Sequence, residues 1–273
     1  MKIGNKFLSF LLLSFSLTSF AQNDVQQDST GLPGDDFSLD GALENFRRSA
    51  SPEEFEKLLN SENNHVNNLD LNDDGEIDYI RVIDKAEGDT HALVLQAVVS
   101  ESENQDIAVI EMEKQGSESA VLQIVGDEDI YGEETILEPR EEAPTQSATE
   151  VVVNVWSWPA VRHIYSPAYA VWVSPWSWRL RPVWWRPWRP VRWHTFYGYH
   201  APYRRHYVVA HHHRVVRARR IYSPVRTTSV VVRTRHQPAV VKYRAAHPVV
   251  RTTTVERGNG RVKTTRTTTR RRR

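Results

Sequence analysis

The distribution of charge along the chain constrains its fold more than any other feature. Residues 22–150 contain 33 acidic and 7 basic side chains, a formal charge of −26. Residues 151–273 contain 26 basic side chains and a single acid, Glu256, a formal charge of +25. The net charge of +1 for the whole chain hides this division. Such an asymmetry predicts two regions with different tasks.

The first 21 residues have the pattern of a secretory signal peptide. Lys2 and Lys6 precede an apolar run that ends at Phe20, and Ala21 completes a small-x-Ala cleavage site. The alternative is an uncleaved anchor. No other run approaches about 18 apolar residues, so we expect no transmembrane segment after cleavage. The mature chain is therefore predicted to be periplasmic or associated with the cell surface.

The chain contains no cysteine. This excludes a disulfide framework, a thiolate metal site and a cysteine nucleophile. A protein exported without disulfides needs another covalent or ionic staple, and calcium is abundant outside the cytoplasm.

The acidic half predicts a small α+β domain over residues 40–140, after a flexible lead at 22–39. A short helix around Leu43 and Phe46 is followed by a second that begins at Ser51-Pro52, where an N-cap serine precedes a proline at the first helical position. Four apolar runs then predict strands at 77–84, 91–99, 106–113 and 120–125, with residues near Ile136 as a last edge strand. Because the connections are short, we expect an antiparallel meander sheet covered by the two helices.

The basic half differs sharply in composition. After a linker predicted at 141–150, all nine tryptophans lie between Trp156 and Trp193, among arginines and prolines. Frequent proline favours extended, polyproline-like segments and turns in a module at 151–207. Residues 208–273 form a basic, low-complexity tail, for which a hairpin at 252–265 and disorder are both open. The expected architecture is therefore an α+β domain followed by an extended, partly disordered region.

A candidate calcium loop spans residues 70–78. Calcium prefers six to eight oxygen ligands on a tightly curled loop. Asp70, Asn72 and Asp74 occupy loop positions one, three and five, glycine follows at position six, Glu76 can offer a carbonyl at seven, and Asp78 stands at nine. These five residues are the predicted ligands of a structural Ca²⁺.

The loop departs from an EF-hand at position twelve, where Arg81 replaces the bidentate glutamate. The pattern Asp-x-Asn-x-Asp-Gly-x-x-Asp, followed by Tyr79-Ile80-Arg81-Val82, resembles the calcium loops of FG-GAP/VCBS-type repeats. That resemblance covers about a dozen residues and implies that a strand leaves the loop. The alternative is an Asx-rich turn without metal.

The densest part of the basic half predicts a polyanion-binding surface. Guanidinium groups pair with phosphates, and indole rings settle at lipid headgroups or stack on sugars and bases. The composition resembles that of Trp/Arg/Pro-rich host-defence peptides. Expected partners are lipopolysaccharide, acidic polysaccharide or phospholipid, and export disfavours nucleic acid. The candidate residues are Arg179, Arg181, Trp184, Trp185, Arg186, Trp188, Arg189, Arg192 and Trp193.

Alternative functions remain open at this stage. The opposite charges of the halves also predict self-assembly, within one chain or between chains. A hydrolase of envelope glycans requires two carboxylates facing one cleft, but no catalytic constellation is evident, and we expect a non-enzymatic protein. His206 and the run at 211–213 favour an opportunistic surface cluster over an evolved metal site. The overall layout resembles uncharacterised secreted or periplasmic bacterial proteins, which implies a location and no activity.

Overall fold

The computed structural model describes residues 29–140 and 152–248, and the backbone of residues 250–257 and 261–268. The predicted signal peptide and linker lie outside these ranges. Within the described part of the predicted lead, Pro33–Asp36 form a 3-10 helix and Phe37 is buried and bridges to Asn67. The chain is therefore packed well before residue 40.

Two helices precede the sheet, as predicted. Helix α1 spans Leu39–Arg48 and helix α2 spans Pro52–Leu59. The side chains of Ser38 and Ser51 accept hydrogen bonds from Gly41 N and Glu54 N, so both N-caps satisfy amides that the helix leaves open. Their buried faces supply the core with Leu43, Phe46 and Phe55.

The fold class is confirmed: α+β with an antiparallel meander. The strands are β1 (Ile80–Glu87), β2 (Thr90–Val98), β3 (Asn104–Gly116), β4 (Ser119–Gly126), β5 (Thr135–Pro139) and β6 (Tyr207–Ala210), in that spatial order. A short helix, α3 (Glu128–Tyr131), connects β4 to β5. The expectation that β5 forms the edge was wrong, because β6, from the basic half, pairs with β5 and takes the outer position.

Both faces of the sheet are buried. Alternate residues such as Leu93, Leu95 and Ile110 face α1, α2 and helix α4 (Pro159–Ile164). The opposite face, with Val94 and Val109, is covered by helix α6 (Val216–Tyr222). The sandwiched position of β2 explains why all nine of its residues are buried.

The other edge of the sheet is also closed by the basic half. Asp84 N donates to Trp172 O at 2.8 Å and Ser174 N donates to Val82 O at 3.0 Å, with a bridge between Ile83 and Val173. A segment at 172–174 thus lies along β1. The core predicted for residues 40–140 is completed, on both faces and at both edges, by residues beyond 150.

The basic half contains helices where proline and low complexity predicted extended or disordered chain, and of the two alternatives left open near 252–265 the structure has the hairpin. Helices α5 (Trp193–Arg204) and α7 (Val230–Ala246) tolerate Pro202 and Pro238 in their interiors, and β7 (Val250–Arg257) pairs with β8 (Arg261–Thr268) in a hairpin. A 3-10 turn at Ser223–Val225 follows α6. Within the described ranges, no helix combines the length and apolar character that a membrane span requires.

Candidate functional site

The loop at 70–78 folds as a tight, oxygen-lined turn. Asp70 accepts hydrogen bonds from Asp74 N at 3.1 Å and Gly75 N at 2.9 Å, and Asp74 Oδ1 accepts from Glu76 N at 2.9 Å. Gly75 has φ 85°, a conformation that favours glycine. Strand β1 begins at Ile80, so a strand and not a helix leaves the loop, as expected.

Asp78 is the buried member of the predicted ligand set. It is 4 % exposed, and its Oδ2 accepts a hydrogen bond from Leu71 N at 2.7 Å. Burial, with the charges of Asp70 and Asp74 nearby, raises the pKa of this carboxyl to about 8. A carboxylate in this setting is stabilised by a cation.

The donor chemistry of the loop fits a hard cation, because Asp70, Asn72, Asp74 and Asp78 offer oxygen atoms only. Their arrangement is that of an Asx-rich turn in which the oxygens hold loop amides. Among the described residues, no three histidine, aspartate or glutamate side chains converge closely enough to hold a metal ion. Calcium binding would require these oxygens to turn from the loop amides toward a common centre. The side chain of Glu76 is exposed, and its predicted ligand atom is the backbone carbonyl oxygen.

A small cluster of aromatic rings and one guanidinium group anchors the segment at 178–185. Trp185 is 7 % exposed and packs edge-on against Tyr79, with ring centroids 5.1 Å apart. The guanidinium carbon of Arg181 lies 5.1 Å from the ring centroid of Trp185, 5.4 Å from that of Trp178 and 5.6 Å from that of Tyr79. These cation–π contacts fix the fold of a region rich in proline and poor in regular structure.

Two tight turns project from this cluster, and we call them the paired turns. In the first, at 177–180, Ser177 and Leu180 exchange backbone hydrogen bonds of 2.9 and 3.2 Å. In the second, at 182–185, Trp185 N donates to Pro182 O at 3.1 Å. Trp178 and Arg179 form the tip of the first turn, and Val183 and Trp184 that of the second.

Residues 185–192 form neither helix nor strand, and their sequence repeats every three residues as Arg-Pro-x. Proline at this spacing favours polyproline II, in which residues three apart share an edge and lie about 9 Å apart. Ile77 N donates to Trp188 O at 2.9 Å. Val191 N donates to Asn68 Oδ1 at 2.8 Å, and Asn68 Nδ2 donates to Val191 O at 3.0 Å. The edge that contains Trp188 and Val191 is therefore attached to the acidic half.

At this spacing Arg186, Arg189 and Arg192 fall on another edge of the segment, and we call them the arginine row. All three side chains are exposed. Arg186 donates only to the carbonyls of Val183 and Trp185, and none of the three has a carboxylate partner among the described residues. The arginine row is a line of cations held against a fixed support.

Eight other arginines whose side chains the structure describes in the basic half pair with carboxylates of the acidic half. Arg226 binds both Asp127 and Asp129, and Arg219 binds both oxygens of Glu134 at 2.8 and 3.1 Å. The remaining pairs join Arg179 to Glu101, Arg214 to Glu138, Arg217 to Glu113, Arg233 to Asp129, Arg235 to Asp73 and Arg244 to Glu128. The opposite charges of the two halves thus form ion pairs within one chain.

The nine predicted polyanion-binding residues consequently separate into groups. Arg186, Arg189, Arg192 and Trp184 are exposed, and Trp188 and Trp193 are half-buried. Trp185 is buried and Arg181 is held by rings, while Arg179 is exposed but paired with Glu101. The structure brings this set together along one segment, although only part of it faces solvent.

A cavity of about 240 Å³ lies on the α6 face and is lined by charged side chains. His213 lies 3.4 Å from both Glu111 and Glu134, and these two carboxylates raise the pKa of the imidazole to about 9. Because His213, Arg219 and Arg226 engage Glu111, Glu134 and Asp127, this arrangement favours a structural role over acid–base catalysis.

Two buried polar clusters escaped the sequence reasoning. The carboxylate of Glu56 accepts hydrogen bonds from Tyr79 Oη, Ser174 Oγ, Val82 N and Trp172 Nε1. Asp84 binds His91 Nδ1 at 2.8 Å and the Tyr169 hydroxyl at 2.7 Å. His91 is thus a packed residue. The only local signal was an acid, Glu56, on the apolar side of a helix.

Comparison with protein families, with curated proteins and with solved structures gives no match. The function must therefore be argued from the site itself.

Proposed function

We propose that this chain is a non-enzymatic protein of the extracytoplasmic envelope that binds an anionic component through the arginine row. The supporting observation is exposure: Arg186, Arg189 and Arg192 are exposed and have no carboxylate partner among the described residues, whereas eight other described arginines of the basic half pair with carboxylates of the acidic half. Guanidinium groups on a fixed backbone bind phosphates or sulfates bidentately with little loss of side-chain order.

The test is salt-dependent binding to immobilised heparin, a polyanion that contains no lipid. The variant Arg186→Gln/Arg189→Gln/Arg192→Gln should elute at lower salt than the wild type, and the slope of log affinity against log salt should fall by about three. The matched control is Arg162→Gln/Arg220→Gln/Lys242→Gln, which removes three exposed cations elsewhere. Equal losses in the two variants, or salt-insensitive binding, would refute the proposal.

We further propose that the loop at 70–78 binds Ca²⁺ as a structural staple beneath this surface. The loop touches the arginine-row segment through Ile77 N and Trp188 O, and Arg235 of α7 through Asp73 at 2.9 Å. Ion binding in the loop would stabilise the backbone contact that attaches the arginine-row segment to the acidic half. Asp70, Asn72, Asp74 and Asp78 would supply side-chain oxygens and Glu76 its carbonyl.

Calcium should raise the melting temperature of the wild type and should have little effect on Asp70→Asn/Asp74→Asn. Asparagine keeps one acceptor oxygen at each position, so the variant removes the charge while retaining one hydrogen bond of each side chain to the loop. Asp35→Asn, outside the loop, is the control. A wild type whose melting temperature is unchanged by calcium and by chelator would contradict the staple.

A second candidate function is self-assembly. The contacts between the halves join parts of one chain separated by residues 141–151, and an exchange of basic halves between two copies would reproduce every one of them. Light scattering across a concentration series tests this: a dimer that forms in low salt and persists on dilution supports exchange, and a monomer throughout rejects it.

A further inference from the structure

We propose that the paired turns insert into the interface of an anionic phospholipid bilayer, while the arginine row binds the headgroup phosphates. This inference rests on the proposed function and specifies its partner class. It depends on a feature that polyanion binding alone leaves unexplained, namely the apolar character of the turn tips.

The paired turns present apolar side chains to solvent, at their tips and at Leu180, the last residue of the first turn. Val183 is 89 % exposed and Leu180 is 55 % exposed, with Trp184 and Trp178 at 43 % and 36 %. Solvent-facing turns usually contain glycine, asparagine, aspartate or serine, because these residues suit the backbone and the water. Large apolar residues at the tips of two neighbouring turns instead fit an environment that is itself partly apolar.

The support beneath the tips is rigid. Trp185 packs on Tyr79, Arg181 is held among three rings, and the backbone of residues 188–191 is hydrogen-bonded to Ile77 and Asn68. A preorganised surface loses little conformational freedom when it binds. The tips can therefore enter an interface without refolding.

Charge complementarity identifies the interface as anionic. The arginine row begins directly after the second turn, and Arg179 stands at the tip of the first, paired with Glu101. Indole rings and guanidinium groups at the border of an apolar patch match the layered polarity of a bilayer, in which phosphates lie above acyl chains. A soluble polysaccharide offers no apolar phase for Val183 and Leu180. A second copy of the chain docked at the same surface would place two arginine rows against each other, and their like charges would repel.

The first experiment compares binding to vesicles of phosphatidylglycerol and phosphatidylcholine with binding to heparin. Leu180→Ser/Val183→Ser should reduce vesicle binding at least tenfold and leave heparin affinity unchanged, since it removes no charge. Val230→Ser/Val241→Ser, which changes two exposed valines of α7, is the matched control and should bind vesicles as the wild type does.

The second experiment places a probe at the tip. Because the chain has no cysteine, Val183→Cys creates a single labelling site, and Val230→Cys creates a control. An environment-sensitive dye at position 183 should shift to the blue on anionic vesicles and should not shift on pure phosphatidylcholine or on heparin. The dye at position 230 should report no change.

The outcomes separate the two proposals. Heparin binding that depends on the arginine row, together with vesicle binding unaffected by Leu180→Ser/Val183→Ser and no dye shift, overturns insertion and leaves polyanion binding intact. Absence of binding to both heparin and anionic vesicles overturns both.

Discussion

Glu56 joins three parts of the chain through one carboxylate. It lies on α2, accepts the amide of Val82 on β1 at 2.8 Å, and accepts the hydroxyl of Ser174, from the basic half, at 2.8 Å. Burial raises the pKa of this carboxyl, and the hydrogen bonds oppose that shift. A carboxylate with this many donors stabilises the junction because its removal leaves them unpaired.

We expect Glu56→Ala to lower the free energy of unfolding by about 3 kcal/mol or more, since each buried donor left without a partner costs roughly 1–3 kcal/mol. Glu56→Gln should cost less, because the Tyr79 and Ser174 hydroxyls can rotate to accept from the new amide. Urea denaturation measures both. The exposed neighbour Glu53→Ala is the control, and a loss no greater than the control's would contradict this role.

His213 gives the fold a pH dependence. Its pKa of about 9 exceeds the 6.5 of free imidazole, so between these values the folded state keeps a proton that the unfolded state releases. The stabilisation is complete below pH 6.5 and is lost as the pH rises through 9. Its cause is the contact of the imidazole with Glu111 and Glu134.

The stability difference between wild type and His213→Gln should therefore be about 1–2 kcal/mol near pH 6, after allowance for solvent screening, and should vanish near pH 10. Denaturation curves at several pH values test this, with exposed His212→Gln as the control. A difference that stays constant from pH 6 to pH 10 would exclude the imidazole as its source.

At the level of elements, the sheet has no long edge open to other chains within the described residues. The segment at 172–174 lies along β1, and the four residues of β6 lie along β5. Unpaired strand edges promote association with other chains, and covering them prevents it. The basic half therefore protects the acidic sheet as well as packing on it.

Ser174→Pro should uncover the β1 edge, because proline cannot donate the hydrogen bond to Val82 O. We expect a loss of about 1–3 kcal/mol beyond that of Ser174→Ala, which removes only the hydroxyl contact with Glu56. Chemical denaturation measures the loss, and light scattering should detect association of the proline variant. If the two variants behave alike, the segment does not act through its backbone.

The sequence predicted helices α1 and α2 and the first four strands because their signals are local. Ser51-Pro52 marks a helix start wherever it is placed, and runs such as Leu93 to Val98 are apolar almost throughout and bounded by polar segments. The segment at 172–174 and β6 have no such signal, since segments of three or four residues acquire strand geometry only from the edge they join. For the same reason, neither the donors that meet at Glu56 nor the pairing of Arg179 with Glu101 could be foreseen.

At the scale of the whole molecule, the acidic and basic halves share one core. Val94, Val109 and Val125 face α6, and Ile164 and Val161 of α4 face the helices of the acidic half. Removal of residues after Glu150 would expose the face that α6 covers, both edges of the sheet and the part of the other cluster that α4 covers. Each large apolar side chain transferred to water costs about 1.5–3 kcal/mol.

A chain that ends at Glu150 should consequently aggregate or lose its fixed tertiary packing, despite the five strands and three α-helices that it retains. Near-ultraviolet circular dichroism and analytical ultracentrifugation of the truncated and full-length proteins measure this. A monomeric fragment that melts cooperatively at the temperature of the full chain would show that the acidic half is independent.

By itself, the sequence determined the capped helices, the meander, the oxygen-rich loop leading into a strand, and the division of charge, because each depends on residues close together in the chain. Only the tertiary structure decided how that charge is used. Ion pairs form between residues about a hundred positions apart, as between Arg226 and Asp127, and such pairing follows from packing that no local pattern encodes. The arginine row beside the paired turns, three exposed cations without a carboxylate partner among the described residues, is the surface that we expect to meet a partner.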